Sequence, residues 1–76
     1  MDSNAMITLA MNQIRLHLQR HPQAADTLEG VHSWWLASQE PAAITEMALQ
    51  QLLANGEVET LKIGSRVLWR ARRVAD

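Results

Sequence analysis

The feature that most constrains this chain is a change of hydrophobic period at Asn55-Gly56. Ahead of it, apolar residues recur at helical spacing. Behind it they alternate, as Val58-Glu59-Thr60-Leu61-Lys62-Ile63 and Arg66-Val67-Leu68-Trp69-Arg70-Ala71 around Gly64-Ser65. A period near 3.6 belongs to helices that bury one stripe, and a period of two to strands that bury one face. Asn-Gly stops a helix because both residues tolerate its left-handed closing position. Gly-Ser between two alternating runs marks a hairpin. The expected fold class is therefore α+β, helices first and a β-hairpin last.

Size narrows this further. With 76 residues, 47% of them apolar and 20% charged at a net charge of -1, the chain can bury one core and not two. The leading Met1 to Ala5 (MDSNA) reads as the remnant of an expression tag ahead of a start at Met6, which leaves a single domain over 6–76. The absence of cysteine removes a disulfide framework, a thiolate nucleophile and a cysteine zinc site. No apolar run approaches the roughly 18 residues a membrane span requires, and no signal segment precedes Met6. A cytoplasmic protein with no membrane partner is expected.

Three helices are expected before the hairpin. Ile7, Met11, Ile14 and Leu18 share one face of a helix from Ile7 to Arg20, with Leu9 and Leu16 widening that face, and His21-Pro22 ends it. Asp26-Thr27-Leu28-Glu29 reads as a capping box, Asp26 accepting from the Glu29 amide, and opens a helix that carries Leu28, Val31 and Trp35 inward to about Ala37. Gly30 within it suggests a close helix crossing. After a turn from Ala37 to Glu40, Pro41 begins a third helix that runs to about Ala54. Ile44, Ala48, Leu49, Leu52 and Leu53 form its apolar side, and Thr45, Glu46, Gln50 and Gln51 lie largely away from it.

A two-residue hairpin loop pairs Ile63 with Arg66, Leu61 with Leu68 and Glu59 with Arg70 on one face. It pairs Lys62 with Val67, Thr60 with Trp69 and Val58 with Ala71 on the other. Val58, Val67 and Trp69 are expected to pack inward, which leaves Leu61 and Leu68 as an apolar pair needing another cover. A longer loop would reverse the faces.

Charge is distributed unevenly. His21 to Gly56 holds Asp26, Glu29, Glu40 and Glu46 and no Lys or Arg, whereas Lys62, Arg66, Arg70, Arg72 and Arg73 gather toward the C-terminus against Glu57, Glu59 and Asp76. A polyanion would be met there.

The order helix, linker, helix, tight turn, helix, hairpin resembles the winged helix-turn-helix domain in its minimal form. The residues that carry the resemblance are Asp26-Thr27-Leu28-Glu29-Gly30-Val31 and Ala48-Leu49-Gln50-Gln51-Leu52-Leu53-Ala54-Asn55-Gly56-Glu57-Val58, and the match spans nearly all of 6–76. The resemblance implies a one-ladder strand near Gln23 to Ala25, a recognition helix from Ile44 to Asn55, and double-stranded DNA as partner of a transcriptional regulator or accessory module. The domain is expected to be a homodimer. On that basis Thr45 and Gln50 are expected toward a major groove, with Lys62, Ser65, Arg66 and Arg70 on the backbone. The same wing charges also suit a solvated hairpin edge. The recognition helix carries no Lys or Arg, so bidentate reading of guanine is closed to it and Glu46 would repel phosphate.

A second reading is a protein-binding winged helix, as a homodimer or with another chain, through Trp34 and the Leu61-Leu68 pair. Trp35 and Trp69 are expected in the core, since the chain has no Phe or Tyr. His17 and His21 stand at metal-ligand spacing with His32 as a third, but nothing places three ligands together, so no metal or other cofactor is expected. Ser33, Ser38 and Ser65 lack a His-carboxylate partner, no phosphate loop exists, and the chain is not expected to be an enzyme.

Overall fold

The period change at Gly56 is the boundary between a helical half and a sheet. The computed structural model describes residues 3–37 and 39–73. Its elements run α1 (Ser3–Arg20), β1 (Ala25–Asp26), α2 (Leu28–Gly30) continuing into a π-helical turn (Val31–Trp35), α3 (Ala42–Ala54), β2 (Val58–Ile63) and β3 (Arg66–Ala71). The strands form one antiparallel sheet in the order β1-β3-β2. This is an α+β chain of three helical segments and a three-stranded sheet, compatible with a small winged-helix arrangement. Met1 and Asp2 of the MDSNA segment, Ser38, and residues 74–76 lie outside the described residues.

The core is built where α1, the π-turn and α3 meet the base of the sheet. Ile7, Ala10, Met11 and Ile14 come from α1, Val31 from the π-turn, Ile44, Ala48, Leu49 and Leu52 from α3, and Val58 and Trp69 from the strands. Trp35 packs against this cluster half-buried, as does Leu18. The helix begins at Ser3 rather than Ile7, so part of the leading segment is helical. Leu9 and Leu16 do not widen the buried face: they are 54% and 46% exposed, because α3 and the π-turn cover α1 from one side only.

The start of α2 is displaced by one residue from the expected capping box. Asp26 is taken into β1 opposite Trp69, so its backbone serves the sheet and Thr27 becomes the N-cap. Thr27 Oγ1 accepts from the Gly30 N–H at 3.1 Å, and Asp26 Oδ1 accepts from the Thr27 N–H at 2.8 Å. The atoms nearest the open Cβ position of Gly30 belong to a side chain four residues earlier rather than to another helix. The missing side chain of Gly30 makes room for the Asp26 carboxylate, which a Cβ there would overlap. Beyond Gly30 the helix widens, and the Leu36 N–H reaches the Val31 carbonyl at 3.1 Å, the i to i+5 bond of a π-turn.

Pro41 caps α3, its carbonyl accepting from the Ile44 N–H at 2.9 Å. The helix ends as the Asn55-Gly56 pair requires. Gly56 takes a φ of 76°, its N–H bonds the Leu53 carbonyl, and the Glu57 N–H bonds the Leu52 carbonyl, the paired bonds of a Schellman stop.

The hairpin pairs Val58 with Ala71, Glu59 with Arg70, Thr60 with Trp69, Leu61 with Leu68, Lys62 with Val67 and Ile63 with Arg66, the register expected of a two-residue loop. The strand expected near Gln23 to Ala25 is shorter and later, starting two residues on and ending one on, as Ala25–Asp26 against Arg70 and Trp69. Val58 and Trp69 face the core, but Val67 does not pack inward. It lies on their face yet is 42% exposed, because it sits toward the tip, away from the buried base.

Candidate functional site

Because side chains alternate along a strand, the register sends Lys62 and Arg66 to opposite faces of the hairpin, one on each strand beside the tip. Gly64 holds a φ of 60° in that tip, which suits a residue without a Cβ. Lys62, Ser65 and Arg66 are all exposed, and no carboxylate among the described residues forms an ion pair with either cation. Arg66 does share a groove of about 460 Å³ with Thr27, Leu28 and Glu29, which places an acidic residue on the same surface.

Two of the expected DNA-contact residues are committed elsewhere. Thr45 is only 1% exposed and does not reach outward. At positions 45, 48, 49 and 52 it completes the inward stripe of α3, and its hydroxyl is hydrogen-bonded to His32 Nδ1 at 2.7 Å. Arg70 is not a free cation: Nε donates to Glu59 Oε2 at 2.7 Å and Nη2 lies 2.6 Å from the same oxygen. The Arg70 guanidinium, followed by the Arg73 N–H, holds the Glu59 carboxyl below its ordinary range. Gln50 is exposed as expected, beside exposed Glu46, Met47 and Gln51. Met47 and Leu53 are exposed apolar residues on this helix, and Leu53 does not join the buried side.

A second ion pair joins α1 to Glu57. Arg15 grips Glu57 with two bonds, Nε to Oε1 at 2.7 Å and Nη2 to Oε2 at 2.6 Å, and also donates to Asn12 Oδ1. It ties α1 to the entry of β2, and the guanidinium lowers the Glu57 carboxyl. The bidentate geometry joins residues 42 positions apart, which no local spacing rule could signal.

The expected interface residues divide. Trp34 stands 80% exposed, while Leu61 and Leu68 pair across the sheet half-buried on the face away from Val58 and Trp69. His17 stacks on Trp35 with centroids 4.6 Å apart and planes 12° apart, and His21 lies 4.8 Å from His17. His32 is turned to Thr45. Among the described residues no group of three or more His, Cys, Asp or Glu side chains could hold a metal ion. None of the described helices is long and apolar enough to cross a membrane.

No family model, curated protein or solved structure matches this chain.

Proposed function

We propose that this domain is a winged helix that works by docking to protein, and that duplex DNA is not read by its third helix. The observation that carries the reading is the solvent face of α3. A helix that reads a major groove needs cations and donors within reach of bases and phosphates. Here Thr45 is sealed beneath that face, and the exposed residues include Glu46, Met47, Gln50 and Gln51, with Glu46 the helix's one charge. Exposed Trp34, with Leu9 and Leu16, supplies the kind of apolar surface that interfaces use. A cytoplasmic setting suits a chain without cysteine.

The second reading, duplex DNA held by the wing of a regulator or accessory module, is favoured by one observation: Lys62 and Arg66 are exposed on either side of the tip, with no ion pair to a carboxylate among the described residues. Two phosphate contacts would give a shallow salt slope of about -1.8 in log affinity against log salt.

The test is fluorescence anisotropy of labelled duplex DNA at two salt concentrations, with the chain and its Lys62→Ala, Arg66→Ala double variant. Docking predicts binding no tighter than about 10⁻⁶ M at physiological salt, the ordinary non-specific range. Submicromolar binding that weakens with salt and again in the double variant would establish the wing-led reading instead.

A further inference from the structure

The surface of α1 that the core leaves uncovered has a form that matches itself. Leu9, Gln13, Leu16 and Arg20 follow the spacing four, three, four, so on a helix with 100° between residues they make one narrow ridge. Beside the ridge run two hollows. One, of about 130 Å³, lies among Met6, Leu9, Gln13, Leu36 and Glu40. The next, of about 190 Å³, lies among Gln13, Leu16, Leu36, Trp35 and Arg20. Gln13 and Leu36 border both, so the hollows adjoin as one groove with a leucine on its rim at each half, mainly apolar beside Leu9 and more polar beside Leu16, where Gln13, His17, Arg20 and His21 line it.

The ends of the groove carry opposite charge. Glu40 borders the half beside Leu9. Arg20 borders the half beside Leu16, next to His17 and His21. A two-fold axis passing close to Gln13 would lay a second α1 antiparallel on the first, with Leu9 of one copy against Leu16 of the other. Seven residues of helix separate these leucines by about 10.5 Å, two turns, so both contacts form together. The same rotation sets Arg20 of each copy at the Glu40 end of its mate. A groove of one sign throughout would repel its own copy; this one is complementary to itself, as an isologous contact requires.

We infer that the occupant of this groove is a second copy of the chain, packed antiparallel through Leu9 and Leu16 with Arg20 opposite Glu40. The inference rests on the protein-docking reading and names its partner. The wing lies outside the contact, which leaves Lys62 and Arg66 exposed in the dimer.

Light scattering and sedimentation equilibrium on the full chain, with circular dichroism to confirm folding, test it. The chain should be a dimer at high micromolar concentration. Leu16→Glu places two carboxylates in the contact and should weaken association roughly a hundredfold. Arg20→Glu and Glu40→Arg each bring like charges together and should weaken it roughly tenfold, while the double reversal restores it. A monomer up to about millimolar concentration overturns the inference. So does a dimer indifferent to Leu16→Glu, and so does a double reversal no better than its parents. A monomer that also ignores duplex DNA would remove this inference and leave docking to a different protein standing; DNA binding through α3 would remove both.

Discussion

His32 Nδ1 and Thr45 Oγ1 are hydrogen-bonded at 2.7 Å across the seam between the π-turn and α3. The bond gives a buried hydroxyl its partner, on a helix whose buried Ile44, Ala48, Leu49 and Leu52 already turn Glu46, Met47 and Gln50 outward. Thr45→Val keeps the shape and removes the bond, so it should cost about 1 kcal/mol in urea denaturation. Its effect on any affinity for duplex DNA should be nil. Unchanged stability with altered DNA binding would mean that Thr45 reaches outward after all.

Gly30 and Asp26 should be coupled. With Asp26 in place, Gly30→Ala forces the carboxylate off the Thr27 N–H and should destabilise by about 1–2 kcal/mol. In an Asp26→Ala background the obstacle is gone and alanine's helix preference acts alone, gaining up to about 1 kcal/mol. A double-mutant cycle reads the sign reversal directly. Equal costs in both backgrounds would contradict the geometry.

Ala37 closes the second helical segment with a φ of 45°, in the left-handed region that costs a residue with a Cβ. Ala37→Gly relieves that strain and adds freedom to the unfolded chain, effects of opposite sign. The net expectation is a gain of about 0.5 kcal/mol, seen as a higher midpoint in thermal melts.

Stability should fall with mild acid through His17. Burial pushes its pKa below the ordinary 6.5, and the neighbouring His21 acts in the same direction; Arg20 borders the same hollow. The unfolded chain therefore takes up the proton first, so this contribution is full above pH 6.5 and is lost as pH falls through the lower folded value. Glu57 and Glu59, held below 4.5 by Arg15 and Arg70, act in a separate window beneath that value. Denaturation of the native chain and a His17→Gln variant at about pH 7.5 and 5.5 should show a slope that the variant flattens. Equal slopes would assign it to another group.

The hairpin was legible because Gly64-Ser65 stands between two alternating runs, and a two-residue loop fixes every cross-strand pair. The same register set Glu59 opposite Arg70, so the loss of Arg70 as a phosphate contact was already implicit in the pairing. The exposure of Val67 is not legible in the same way, because period alone gives a face, not how far along the strand the helices extend. Asp26 and Thr27 are both good caps, and only the β1 contact with Trp69, distant in sequence, decides between them. Polarity alone points Thr45 toward solvent, although its spacing to Ala48, Leu49 and Leu52 is that of the buried stripe. The π-turn left no local signal, since it depends on Val31, Trp35 and α1 packing together.

The central claim is that the outer face of α3 does not meet duplex DNA. Amide chemical-shift mapping by NMR, with a short mixed-sequence duplex titrated into the labelled chain at low salt, tests it most directly. The amides of Ala43, Glu46, Met47 and Gln50 should stay in place, with any movement confined to Lys62 through Arg66. Salt-sensitive shifts running along α3 would contradict the account.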